Sequence, residues 1–328
     1  MSAPRTAGRT PPAPDLPPLD TLSAPARTAE QRGPTGRRRV RRHGYRWFTP
    51  WLYLAAPLAF LVTFTCVPVV SLFSYSLTDW DGLSPTSHYV GLENYTELFT
   101  RPQLFRVFWV SLFYLAGSAV QICLALYFAT VLSFNTRLRN LFKGILFFPY
   151  LINGVAIGFV FLYFFQPGGT LDTVLHWFGA GPHLWLGDPD LVNTSLAGVS
   201  VWRFMGLNMV LFIGAIQSIP PDLYEAAALD GANRWQQFRH IIAPSIRPII
   251  SLSVILAVSG ALSVFEIPFV MTGGANNSQT FVIQTIKLAF NFNKTGLASA
   301  AAVVLLTFVL LITWMQRALF PDERVEQS

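Results

Sequence analysis

Six long apolar segments dominate this chain of 328 residues and restrict what it can fold into. A helix needs about 20 mostly apolar residues to cross a bilayer. The segments that reach this length are 51–77, 107–133, 141–165, 191–217, 246–270 and 298–319. Only 12% of the residues are charged and the mean hydropathy is +0.44, whereas soluble domains average about 25% charged residues. The sequence therefore predicts an all-α integral membrane protein with six transmembrane helices.

The basic residues are distributed unevenly around these segments, which predicts an orientation. With the N-terminus in the cytoplasm, 18 of the 23 Lys and Arg residues fall in cytoplasmic tails, loops and their flanks. The outer loops hold four, and one more, Arg203, lies within a span. Cytoplasmic loops carry an excess of basic residues, so both termini are expected to be cytoplasmic. The same distribution argues against nucleic acid as a partner.

The two ends of the chain differ from the membrane-spanning part. Residues 1–45 are rich in Pro, Ala, Arg and Thr and hold almost no large apolar residues. Such a segment cannot bury enough apolar surface to offset its ordering entropy, so a disordered basic tail is predicted there. Its basic run at 37–42 is expected to contact anionic lipid headgroups. A six-span domain is predicted at 46–320, followed by a short cytoplasmic tail at 321–328.

The loop at 218–245 carries more structural signals than a simple connector needs. Asp222 and Glu225 have the spacing of a capping box, so a helix is predicted to begin at Leu223. Alanines follow, and they favour a thin helix that can approach another backbone closely. Gly231 is expected to supply a left-handed turn that ends this helix.

A second helical segment follows the glycine. Its apolar residues recur at roughly helical spacing, at Trp235, Phe238, Ile241 and Ile242. Pro244 is expected to stop this segment before the fifth span begins. Two short helices at an angle predict an element that docks onto a partner outside the membrane.

The complete pattern of this loop resembles the signature of permease subunits of binding-protein-dependent ABC importers. That signature reads Glu-Ala-Ala, three residues, Gly, nine residues, Ile, one residue, then Leu-Pro. The residues that match it are Glu225, Ala226, Ala227, Gly231, Ile241 and Pro244. Ala243 stands where the family usually has leucine, which removes some apolar contact and keeps the proline.

Other stretches are similar to the carbohydrate branch of that family, the maltose and glycerol-phosphate type. They are Gly-Leu-Glu-Asn-Tyr at 91–95, Phe-Phe-Pro at 147–149, the exit of the fourth span at 212–220, and 265–274. The last stretch usually continues with a third glycine and a proline, where this chain has Ala275 and Asn276. The resemblance covers roughly residues 50 to 320.

The resemblance implies a fold and a set of partners. The fold would be the bundle of an ABC type I importer permease in a bacterial plasma membrane, forming half of a sugar translocation path. The partners would be a second homologous permease, a cytoplasmic ATPase dimer and an extracytoplasmic solute-binding protein, with ATP and Mg²⁺ bound by the ATPase. This chain is not expected to be the motor, because its sequence has no phosphate-binding loop of the Gly-x-x-x-x-Gly-Lys-[Ser/Thr] type. With no catalytic constellation or metal spacing in the sequence, it is expected to hold no cofactor or metal and not to be an enzyme.

The resemblance and the loop pattern together assign residues to coupling with the ATPase. We predict that this set comprises Glu225, Ala226, Ala227, Asp230, Gly231, Phe238, Ile241 and Pro244.

Polar and aromatic residues inside the spans form a second candidate set. Charged residues within a membrane usually face a cavity or a partner. The residues predicted to line the solute path are Asn153, Trp202, Arg203, Asn208, Phe265 and Glu266. Alternatively, the two asparagines hydrogen-bond across helices, and Glu266 is an interfacial residue that pairs with Arg203.

Three other functions remain open at this stage. A secondary transporter would need no ATPase and would be expected to carry an inverted repeat. A membrane-embedded enzyme would need a reactive cluster, and the sequence shows no nucleophile motif or metal-ligand spacing. An ABC permease for a solute other than a sugar is the third.

Overall fold

The computed structural model describes residues 49–134 and 139–319. The chain divides into two compact units, residues 1–56 and 57–328. Of the first unit only residues 49–56 are described, and they begin the first helix. The tails predicted at 1–45 and 321–328 lie outside the described residues.

Most of the described residues lie in helices. The first eight are α1 (Thr49–Leu61), α2 (Val67–Tyr75), α3 (Glu93–Thr100), α4 (Pro102–Ser133), α5 (Arg139–Leu151), α6 (Gly154–Phe164), α7 (Thr170–His176) and α8 (Val192–Gln217). The others are α9 (Pro221–Leu229), α10 (Arg234–Gln237), α11 (Ala243–Ser245), α12 (Arg247–Leu262), α13 (Glu266–Thr272), α14 (Phe281–Ile286) and α15 (Thr295–Leu319). π-Helical turns lie at Val62–Cys66, Phe238–Ile242 and Lys287–Asn291.

The predicted fold class is confirmed. Within the described residues, five helical stretches are long and apolar enough to cross a membrane. They are Tyr53–Tyr75, Phe105–Ser133, Val192–Gln217, Arg247–Thr272 and Thr295–Ala318. The bent pair α5 and α6 makes a sixth stretch of the same kind.

The third apolar segment is broken, although its composition predicts one continuous span. Helices α5 and α6 meet at an angle of 98°. The break follows Pro149, which lies in the last turn of α5, and Asn153 caps the start of α6 by accepting the Val155 N–H at 2.9 Å. Proline and a capping asparagine are ordinary helix-end signals. Hydropathy does not register them, because the segment stays apolar throughout.

Helix α8 is the centre of the packed structure. It lies along α4 and α5, while α12 packs on α4 and α6 packs on α13. Gly206 permits the contact between α8 and α5. A Cβ atom there would overlap the Leu146 carbonyl oxygen and lie 2.7 Å from Phe147 Cα. Small residues of this kind let transmembrane helices approach each other closely.

The Gly-Leu-Glu-Asn-Tyr stretch at 91–95 fastens the end of α2 to the start of α15. Asn94 Nδ2 donates to the carbonyl oxygens of Ser76 and Thr78, at 2.9 and 2.8 Å. The Tyr95 hydroxyl lies 2.7 Å from Ser76 Oγ. Gly296 at the start of α15 lies against the Thr78 carbonyl, where a Cβ atom would overlap that oxygen. The stretch therefore holds the ends of two apolar helices together.

Candidate functional site

We call residues 218–245 the elbow, because they form two short helical arms on either side of a turn. The first arm, α9, begins at Pro221, with Pro220 as the N-cap residue and no side-chain cap. The predicted start at Leu223 with an Asp222 capping box is therefore wrong. Proline has a fixed φ and no N–H, so it suits the first helical position and needs no capping partner there.

The predicted left-handed turn at Gly231 is confirmed. Its φ is +78°, and its N–H donates to the Ala228 carbonyl at 3.1 Å. The second arm begins with α10, which does have a capping box. Asn233 Oδ1 accepts the Gln236 N–H at 2.9 Å, and Gln236 Oε1 accepts the Asn233 N–H at 2.8 Å. Both sides of the turn are therefore fixed by backbone hydrogen bonds.

The base of the elbow is part of the packed core. Ile242 and Ile246 are fully buried in a cluster that includes Ala125 of α4 and Met209 and Phe212 of α8. Half-buried side chains pack against the same cluster, namely Tyr224, Phe238 and Ile241. A force on the arms is therefore transmitted to α4 and α8 through close-packed contacts.

The prediction that Pro244 stops the second arm is wrong. Pro244 lies inside the short helix α11, and the break comes at Ile246, where φ is −98° and ψ is 8°. The preceding π-helical turn at 238–242 holds one extra residue per turn. The side chain of Pro244 is exposed. It therefore contributes surface at the base of the elbow.

The tip of the elbow presents apolar side chains that the rest of the described chain does not cover. Leu229 is 89% exposed, Trp235 is 66% exposed and Leu223 is 49% exposed. Around them, Glu225, Ala226, Asp230 and Gly231 are exposed and Ala227 is half-buried. The sequence analysis did not predict that Leu229 is exposed. Its position at the end of α9, just before the turn at Gly231, was the available indication. A rigid patch of this kind is typical of a protein-binding surface.

A charged pair joins α8 and α13. Arg203 on α8 donates from Nη1 to Oε2 of Glu266, the first residue of α13, at 3.0 Å. The Arg203 side chain is 14% exposed and that of Glu266 is 52% exposed. Within the described part of the chain, the buried Nε of Arg203 has no hydrogen-bond partner. The alternative that Glu266 pairs with Arg203 is thus confirmed. The half-exposed Glu266 side chain leaves one side of the pair uncovered.

Gly154, the first residue of α6, leaves room for this pair at the break of the third span. A Cβ atom on Gly154 would overlap Glu266 Oε2 and Arg203 Nη1. Three elements, α6, α8 and α13, therefore meet at the two charges.

The other residues of the predicted path are dispersed. Trp202 is 41% exposed and makes an edge-to-face contact with Phe161, with ring centroids 5.2 Å apart. Phe265 stacks on Phe269 at 4.8 Å. Asn208 is buried in the packed face of α8.

Among the residues that the structure describes, Asn153 makes no hydrogen bond across helices of the kind that the alternative supposed. Its side chain caps α6 from an exposed position. It therefore belongs to the break in the third span.

Comparison with known proteins decides the family. Residues 121–325 match the family described as "Binding-protein-dependent transport system inner membrane component". This match spans more than half of the chain. The chain belongs to this family.

Curated relatives of this permease extend the likeness over most of its length. It is 34% identical over 285 residues to the probable ABC transporter permease protein YurN of Bacillus subtilis, covering 84% of this chain and 97% of that one. It is 30% identical over 291 residues to the probable starch degradation products transport system permease protein AmyD of Thermoanaerobacterium thermosulfurigenes, covering 85% and 96%.

A solved structure with a similar fold gives the same architecture. The permease superposes with a TM-score of 0.72 and 23% identity on a chain of a bacterial ABC transporter involved in the import of the acidic polysaccharide alginate. The match covers 82% of the permease and 95% of that chain. The permease therefore shares the fold of that chain. Its role as an inner-membrane component of a transport system follows from the family match.

Proposed function

We propose that this permease forms half of the translocation path of an ATP-driven sugar importer and that its elbow docks a separate cytoplasmic ATPase dimer. The second half of the path would come from a homologous permease, and an extracytoplasmic binding protein would deliver the sugar. ATP and Mg²⁺ would be bound by the ATPase. Both termini of this chain and its elbow would then face the bacterial cytoplasm.

The geometry of the elbow carries this proposal. Its tip is exposed and apolar, whereas its base is built into the core beside α4 and α8. A surface that is rigid, uncovered and packed onto long spanning helices is suited to transmit movement from an outside motor. ATP-driven closure would then rock the two permeases between inward-open and outward-open states.

Sugar as the solute is supported by the relatives and by the chemistry of the bundle. One further relative, 29% identical over 271 residues, is the trehalose/maltose transport system permease protein MalF of Thermococcus litoralis, matched over 80% of this chain and 90% of that one. Arg203, which pairs with Glu266, also lies over the ring of Phe204, with its guanidinium carbon 5.0 Å from the ring centroid. Charged groups and aromatic faces are suited to hydroxyl-rich rings.

Reconstitution tests the proposed function. Proteoliposomes holding this permease, its partner permease, the ATPase and the binding protein are expected to accumulate maltose, trehalose or a related oligosaccharide only when ATP is supplied. Omission of any one protein should abolish uptake. Uptake by this chain alone would instead show a secondary transporter, and ATP-driven uptake of a non-sugar solute alone would contradict the sugar assignment.

Loss of the Glu266 charge is expected to lower uptake. Glu266→Gln keeps the shape of the side chain and leaves the largely buried Arg203 without its counter-charge, which costs about 1.5–3 kcal/mol. Since about 1.4 kcal/mol is a factor of ten, we expect the uptake rate to fall by about tenfold or more. The matched control is Glu97→Gln, since Glu97 also forms ion pairs, with Arg101 at 3.0 Å and Lys294 at 3.4 Å. The proposed solute path fails if Glu266→Gln retains the wild-type rate and solute preference.

A further inference from the structure

A pocket of about 570 Å³ lies at the end of α6 opposite to the break in the third span. Its walls come from the end of α6, the loop that precedes α8 and the end of α13. The aromatic and amide side chains of the lining include Tyr163, Phe165, Gln166, Trp185 and Asn276. Ligand pockets are typically about 300–1,000 Å³, with mostly apolar linings and a few polar groups. Neither the proposed coupling nor the charged pair uses this pocket.

The pocket is held open by a network of hydrogen bonds. Asp172, 5% exposed, accepts from Trp185 Nε1 at 2.8 Å and from the Gly168 N–H at 2.9 Å. These bonds, with the indole contributing most, hold the pKa of Asp172 below its ordinary value. Asn276 Nδ2 donates to the Leu186 carbonyl at 2.8 Å and ties the other two walls together. The indole of Trp185 is therefore fixed at its N–H edge.

The side chains that line the pocket indicate which class of ligand it can bind. None of the described side chains that line the pocket is charged. Aromatic side chains and the amides of Gln166 and Asn276 lie on the same walls. Aromatic faces and amides suit a neutral, hydroxyl-rich ring better than an ion, which would lack a counter-charge. A lipid tail would make no use of the amide of Gln166.

The position of the pocket relates it to the charged pair. Helix α6 begins at Gly154, against Arg203 and Glu266, and ends at the pocket wall. Eleven residues of α-helix span about 16 Å. Helix α13 also begins at the charged pair, with Glu266, and ends at the pocket. These two helices pack closely, because Gly158 leaves room for Val270.

We propose that this pocket is a waiting site for one neutral sugar ring of the transported solute, at the opposite end of the α6–α13 pair from Arg203 and Glu266. The proposal rests on the proposed function. The sugar ring stacks on the Trp185 side of the pocket and hydrogen-bonds the amides of Gln166 and Asn276. It then moves along the paired helices toward the charges.

Protection from chemical labelling tests the waiting site. In a permease carrying Cys66→Ser and Cys123→Ser, Gln166→Cys places a thiol on the pocket wall. His176→Cys is the matched control, because it is exposed in the same loop and does not line the pocket. Both are assembled with the partner permease and the ATPase in proteoliposomes without binding protein, and a membrane-impermeant maleimide is added. Maltotriose, trehalose or diacetylchitobiose serves as the probe, whichever the wild-type system accumulates.

The expected result is a several-fold slower reaction at position 166 in the presence of that sugar and less than a twofold change at position 176. Equal rates with and without sugar at position 166, or equal protection at both positions, would overturn the waiting site. Because the probe is a sugar that the complete wild-type system accumulates, such a result leaves the proposed function intact. The absence of sugar uptake by the wild-type system would overturn the proposed function, and with it the waiting site.

A second pair of variants tests the contribution of the Asn276 side chain to the pocket, including its bond to the Leu186 carbonyl. Asn276 and Asn277 both have left-handed backbones, with φ of 52° and 66°, so glycine fits either position. Only Asn276 lines the pocket. Asn276→Gly should raise the KM for uptake several-fold at unchanged kcat, whereas Asn277→Gly should change neither. Equal KM values in the two variants would contradict the proposal.

Discussion

Replacing Gly206 by alanine is expected to destabilise the permease strongly. The new methyl group would meet the backbone of α5, at the Leu146 carbonyl oxygen and Phe147 Cα, and a backbone cannot rotate away as a side chain can. Overpacking a close contact typically lowers the stability of a folded protein by about 1–3 kcal/mol. Because the neighbour here is rigid backbone, we expect a loss of about 3 kcal/mol. We expect a fall of about 5–10 °C in the melting temperature of the detergent-solubilised protein, measured by size-exclusion after heating.

Gly198 supplies the control for this prediction. It lies on the same helix, α8, and a Cβ atom there would meet nothing within 4 Å. Gly198→Ala should therefore leave the melting temperature unchanged or raise it slightly, since alanine favours helix. Equal melting temperatures for the two variants would show that α5 and α8 do not pack as closely as described.

The sequence predicted the spanning helices well, because hydrophobic length is a property of the segment itself. It also predicted the left-handed turn at Gly231, since glycine tolerates positive φ. It did not predict the break at Asn153, because apolar composition continues across that position. Pro244 was assigned as a stop from its general helix-breaking tendency, yet proline is tolerated in the first turn of a helix such as α11.

Contacts between residues that are far apart in the chain could not be derived from the sequence. The approach of Gly154 to Arg203 and Glu266 joins three helices that are far apart in the chain. Nothing local in the sequence of the loop at 166–190 shows that Asp172 holds Trp185 in place. The sequence left the place of Asn208 open, because an asparagine in a span reads the same whether it faces a path or a neighbouring helix; the structure buries it.

Replacing Gly231 by proline is expected to disconnect ATP hydrolysis from transport. Proline fixes φ near −65°, which is incompatible with the observed +78°, and it removes the N–H that bonds to Ala228. The turn between the two arms of the elbow must then rearrange. The base of the elbow, anchored by Ile242 and Ile246, stays in the core, so the protein should still insert and fold.

Gly179 provides a closely matched control. Its φ is +82°, its N–H donates to the His176 carbonyl at 3.0 Å, and the space around it is open. Gly179→Pro therefore imposes the same backbone conflict in the loop that precedes α8. Similar melting temperatures for the two variants would show that any difference in transport arises from the position of the turn and not from general misfolding.

The most direct test is the amount of sugar accumulated per ATP hydrolysed in the fully reconstituted transporter, compared between these two variants. We expect Gly179→Pro to retain the wild-type ratio and Gly231→Pro to lower it by at least tenfold while the protein remains inserted. A wild-type ratio in Gly231→Pro would contradict the claim that the elbow transmits the movement of a separate ATPase to the membrane helices.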